Sequence, residues 1–178
     1  AIETSPRNTA ARTVRQTAIP VDKKRKPELF VHLLKKRRWG QVLVFVKTRK
    51  GVDELTELLQ QQGINADGIH GDKPQATRQR ALDRFKAREV QILLATDVAA
   101  RGLDIDDLPL VVNFDLPIAA EDYVHRIGRT GRAGNTGQAI SLVCADEVNM
   151  LAAIEVLTGQ LLKRVDEQDF EPEHRVPL

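Results

Sequence analysis

Apolar residues along this chain fall in short continuous runs that alternate with stretches of helical spacing. From Gln41 to Thr48 the sequence QVLVFVKT is almost wholly apolar, the pattern of a strand buried on both faces of a parallel sheet. Val52, Leu55, Leu58 and Leu59 follow at helical spacing, up to Gly63. The unit then repeats, with a short strand from Ile64 to Ile69, a turn at HGDKPQ, a helix from Gln75 to Ala87 with Leu82 and Phe85 inward, and a strand from Val90 to Ala95. After TDVAARGLDI come a strand from Leu110 to Phe114, a short helix from Glu121 to Ile127, a strand from Ala139 to Val143 and a helix from Ala145 to Leu157. Upstream, Thr13 to Val21 has the β-branched content of an edge strand that can end at Pro20. Pro27 opens a helix with Leu29, Phe30, Leu33 and Leu34 facing a core and Gly40 as its stop. Such alternation predicts an α/β fold, a parallel sheet with helices on both faces and right-handed crossovers. Ligands of these folds gather at the carboxyl ends of the strands.

Residues 1–12 lack periodicity and read as an interdomain linker, residues 13–158 as one domain. The acidic, proline-containing stretch 159–178 reads as a final short element and a linker. At 178 residues, 42% hydrophobic and 29% charged, the chain has the size and composition of a single soluble domain with a sizeable core. It has no apolar run near the roughly 18 residues of a membrane span. The single Cys144 excludes an internal disulfide framework and a multi-cysteine metal site, and points to a reducing, cytoplasmic setting. A start at Ala1, with Met150 the sole methionine, reads as a piece of a longer protein.

Charge changes the picture more than composition does. The net charge is +2, yet residues 1–50 hold 14 Lys and Arg against 3 Asp and Glu, while the remaining 128 hold 13 against 22. A basic segment of this kind suits phosphate backbones. For KKRKPELFVHLLKKRR, from Lys23 to Arg38, a solvated helix face fits equally well.

The densest candidate chemistry lies in YVHRIGRTGRAG, Tyr123 to Gly134. Arg126, Arg129 and Arg132 recur every third residue, a spacing that puts side chains on roughly one helix face, and the interleaved glycines let the backbone run close to a ligand. Arginine forks match phosphate oxygens in pairs. ATDVAARGLDI, residues 95–105, places Thr96 at a strand end and Asp104 after Gly102. Asp97 suits a helix cap. HGDKPQATR, residues 70–78, enters a helix N-terminus, where N–H groups and the dipole favour an anion. His70 has no second metal ligand at helical or turn spacing.

These stretches carry a resemblance. HRIGRTGR resembles the last conserved motif of the DEAD-box RNA helicases, and His125 separates it from related helicases with Gln there. ATDVAARGLDI, HGDKPQATR and, less specifically, VFVKTRKG at 44–51 resemble further motifs of that family, in the right order across about 90 residues. The resemblance covers roughly residues 14–157 and is nearest the bacterial RhlE type. It implies a RecA-like fold and an RNA-contacting set of Thr48, Arg49, Gly71, Arg78 and Thr96. It also implies ribose contact by Asp104 beside Gly102, arginine fingers at Arg129 and Arg132, and interdomain coupling through Arg101, His125 and Arg126. The sequence contains no GxxxxGK[ST] loop and no Asp-Glu pair after an apolar strand. By resemblance, then, the chain is the second of two RecA-like halves. The first half would bring the phosphate loop and the carboxylates that hold Mg2+ beside ATP. Single-stranded or duplex RNA and that first half are the implied partners, with ribosome or RNA-decay machinery as further candidates. Two other readings stay open, a nonenzymatic RecA-like module binding RNA or protein, and a DNA helicase half.

Overall fold

The computed structural model describes residues 13–131 and 136–173. The expected linker 1–12 and Arg132 lie outside the described residues. Seven strands form one sheet: β1 (Val14–Pro20), β2 (Val42–Phe45), β3 (Ala66–Ile69), β4 (Ile92–Ala95), β5 (Leu110–Asn113), β6 (Gly137–Val143) and β7 (Lys163–Arg164). Their order is β3-β4-β2-β5-β6-β1-β7, and every pairing is parallel. Among the described residues six α-helices accompany them: α1 (Lys26–Arg37), α2 (Arg49–Gln61), α3 (Gln75–Lys86), α4 (Asp97–Ala100), α5 (Ala120–Ile127) and α6 (Val148–Thr158). No helix among the described residues is long and apolar enough to cross a membrane.

The period-2 alternation of a strand sends successive side chains to opposite faces. Val42, Val44, Ile92, Leu94 and Val112 meet Leu29, Phe30 and Leu33 of α1 and Val52, Leu55 and Leu59 of α2 on one face. Leu43, Phe45, Leu93, Ala95 and Val111 meet α3 and α4 on the other. Farther along that second face, α5 and α6 cover Ala18, Ala139 and Val143. Both faces are buried, as the near-continuous apolar runs require.

Two expectations are corrected. β1 is not an edge strand, because β7 pairs with Thr17 and Ala18 on its outer side. A two-residue strand is too short to show in an apolar pattern. The C-cap of α1 is Arg38, in the left-handed region at φ 48°, and not Gly40. After Gly159 comes the expected final short element, β7, and the chain continues as far as Glu173. It runs back over α1 as a strap, with Leu162 and Phe170 buried and the Glu167 carboxylate receiving His32 Nε2 at 2.9 Å, Lys36 Nζ at 2.8 Å and Arg37 Nη2 at 3.2 Å. Arg25 lies 4.3 Å from the Phe170 ring centroid. Lys36 and Arg37 of the basic segment thus face the domain's own carboxylate.

Candidate nucleotide and nucleic-acid interface

The carboxyl edge of the sheet collects the predicted residues from four loops. Past β2, Thr48 caps α2, its hydroxyl accepting Gly51 N–H at 2.9 Å, and Arg49 Nη1 reaches Asp72 Oδ1 at 2.5 Å. Past β3, Gly71 is exposed in the turn before α3, and Arg78 is half-buried with Nη2 donating to Gln75 Oε1 at 2.6 Å. The N-terminus of α3 has no side-chain cap. His70 has both ring nitrogens in use, toward Asp53 and the Asp72 N–H, which leaves neither for a metal.

Past β4, Thr96 is buried and caps α4 by accepting Ala99 N–H at 3.3 Å. Thr96 thus takes the cap expected of Asp97. The loop that follows turns at Gly102, whose φ of 76° favours glycine. An added Cβ there would have no atom within 4 Å, so space stands open beside the loop. Asp104 is 87% exposed, with Lys86 Nζ at 3.5 Å. This is the arrangement of a carboxylate free to accept hydroxyl donors. Arg101 and His125 both face Asp122, at 3.8 and 3.9 Å, and both are largely exposed.

The HRIGRTGR stretch does not form one helical face. α5 ends at Ile127 with Gly128 as its cap. Arg126 turns inward, and Arg129, beyond the helix, lies on the RGLD loop. Its Nη1 donates to Leu103 O at 2.5 Å and its Nη2 to Ala100 O at 3.0 Å. Leu108 N–H bonds Arg129 O in return, at 3.0 Å. The finger candidate is therefore hydrogen-bonded to the loop that carries the ribose candidate.

A family model, the helicase conserved C-terminal domain, matches residues 25–134. The structure of the Escherichia coli DEAD-box protein SrmB, solved with RraA, superposes with a TM-score of 0.85 at 39% identity, covering 93% of this chain and 98% of that one. This chain belongs to the DEAD-box family, as its C-terminal helicase domain. The DEAD-box ATP-dependent RNA helicase CshA of Bacillus licheniformis is 46% identical over 152 residues, 85% of this chain and 31% of CshA. Saccharomyces cerevisiae Dbp5 bound to RNA and ADP BeF3 gives a TM-score of 0.81 at 33% identity, over 88% of this chain and 42% of that one. The chain thus spans about a third of the length of CshA. The RhlE subdivision stays an expectation from the motifs.

In this DEAD-box domain Arg126 turns into the domain's own interior, with its side chain 2% exposed. Its Nε and Nη2 grip Asp97 at 2.7 and 2.8 Å, and its Nη1 reaches Asn113 Oδ1 at 3.1 Å and Asp115 O at 2.6 Å. The guanidinium also sits 5.0 Å from the Phe45 ring centroid. Asp115 carries the network on, accepting Lys47 N–H at 2.8 Å and facing the buried Lys26 Nζ at 3.5 Å. Lys26 in turn pairs with Glu147 at 2.7 Å. Sequence reading missed Asp115, Asn113, Lys26 and Glu147. The available signal was an acid or amide placed directly at the end of a wholly apolar strand, which a buried cation would satisfy.

Proposed function

We propose that this chain is the second RecA-like half of an ATP-dependent RNA helicase, giving arginine fingers to ATP held by the first half and part of the surface that grips the RNA backbone. The observation that carries this reading is the convergence of Thr48, Arg49, Gly71, Arg78, Thr96, Asp104 and Arg129 on one sheet edge. The RNA and ADP BeF3 held by Dbp5, a relative of the same fold, support it.

The residues present fit one side of a nucleotide. Asp104 can accept the ribose hydroxyls, with Gly102 leaving room for the approach. Arg129 reaches a γ-phosphate by exchanging the Leu103 and Ala100 carbonyls for phosphate oxygens, a stronger, charge-assisted match. Mg2+ would be held by the carboxylates of the first half, as the resemblance implies. There it would offset phosphate charge. ATP and RNA each favour the closed pair of halves, which couples their binding.

The test is RNA-stimulated ATP hydrolysis by this chain alone and joined to a phosphate-loop half through its natural linker. Silence alone and turnover when joined, lost by a factor of about 10³ or more on Arg129→Ala, is the expected result. Turnover by the chain alone would misplace the ATP site. Silence in both forms would favour a nonenzymatic binding module.

A further inference from the structure

His70 is the first residue past β3, and its side chain is 4% exposed. Nδ1 accepts the Asp72 N–H at 3.1 Å, and Nε2 stands 2.9 Å from Asp53 Oδ1. A backbone N–H can only donate, so Nδ1 is unprotonated, and the ring hydrogen lies on Nε2, donated to Asp53. The Asp72 carboxylate receives Arg49 in turn. Lys73 closes the turn, its N–H on His70 O at 3.2 Å and its ammonium on Gly68 O at 2.8 Å.

Arg49 and Asp53 stand one turn apart on α2, and three contacts cross from that helix to the turn 70–73: Arg49 to Asp72, Asp53 to His70, and Lys73 Nζ to Asp53 Oδ1 at 3.8 Å. The Arg49–Asp72 pair is more than half exposed on both sides and by itself holds little in place. The imidazole is the buried member, bonded at both ends. It makes the turn a rigid neighbour of the α2 N-terminus.

We propose that Asp53 and His70 are a positioning pair for RNA. Asp53 selects the Nε2–H tautomer, which leaves Nδ1 free to accept the Asp72 N–H. That bond fixes Gly71 and the start of α3, with Arg78, at a set distance from Thr48 and Arg49, so one phosphodiester backbone meets both turns at once. The opposite tautomer would set two N–H groups against each other and open the turn. The pair touches no RNA itself. The inference rests on the RNA-binding reading above and adds the device that holds that surface in register.

The experiment titrates the full chain with a fluorescent single-stranded oligoribonucleotide at low salt and records the imidazole nitrogen-15 spectrum at neutral pH. Expected are a spectrum with the His70 proton on Nε2 and, for His70→Leu, affinity about tenfold weaker. His70→Asn, whose Oδ1 can accept the Asp72 N–H, recovers most of the loss. Asp53→Leu, at an exposed position, weakens binding by a similar factor, and it carries the test if His70→Leu fails to fold. Unaltered affinity in both leucine variants, or a proton on Nδ1, overturns the pairing while leaving the RNA reading intact. No RNA binding by the unaltered chain, with the expected tautomer present, sinks the RNA reading and the proposal together.

Discussion

Arg126 and Asp97 form a two-pronged ion pair, Nε to Oδ1 at 2.7 Å and Nη2 to Oδ2 at 2.8 Å, which ties the last helicase motif to the α4 turn that carries Thr96. The arginine is buried, and removing its charge takes the cation from Asp97 and the donor from Asn113 Oδ1, while Asn113 Nδ2 keeps Ser141. Breaking a buried pair from one side costs about 3–5 kcal/mol. Arg126→Ala should therefore lower stability by that order in urea unfolding, and Arg126→Lys should restore only part, since an ammonium cannot grip both oxygens. A domain equally stable after Arg126→Ala would return the residue to a role between domains.

Asp104 should behave in the opposite way. Its carboxylate is nearly all in solvent and its one ion pair, to Lys86, is long and exposed. Asp104→Ala should leave the unfolding midpoint within about 0.5 kcal/mol of the original. In the joined enzyme it should raise KM for ATP with a smaller change in kcat, read from steady-state hydrolysis. A large loss of stability would assign Asp104 a structural part instead.

Acid should loosen the strap through Glu167. Burial alone would raise its pKa, but hydrogen bonds from Lys36 and His32 and the charges of Lys36 and Arg37 outweigh that and hold it at about 2, against an ordinary 4.5. A depressed carboxylate stabilises the fold fully above its ordinary value, and this is lost as pH falls from 4.5 toward about 2. With Lys36 half-exposed, the contribution is roughly 1–3 kcal/mol. Glu167→Gln should flatten that part of the acid limb, measured as unfolding midpoints across this range. An acid limb of unchanged depth would show that the strap is not held by charge.

Gly137 opens β6 where the chain returns beneath the HRIGRTGR turn. A Cβ there would overlap Thr130 Oγ1 and the backbone of Gly131, which cannot step aside as a flexible side chain would. Gly137→Ala should cost at least 1–3 kcal/mol, the range of overpacking, and displace the turn that carries Arg129. Gly40→Ala, with no atom within 4 Å of the new methyl, should cost little. Equal thermal midpoints for the two variants would contradict this close approach.

The alternation of strands and helices, the doubly covered parallel sheet and the edge that gathers the candidate residues were legible in the sequence by itself. Apolar periodicity depends on burial of one face or two, and runs such as VLVF and ILLA record that burial locally. Motif order added the family. Only the tertiary structure decided where each arginine points. Arg126 and Arg129 share a motif and a spacing, yet one closes on Asp97 and the other lies on the RGLD loop, because the helix between them ends at Gly128. The strap, the interior place of β1 and the His70–Asp53 contact were likewise beyond local pattern. Each joins residues 17 or more positions apart, and such long-range pairings leave no periodic trace in the chain.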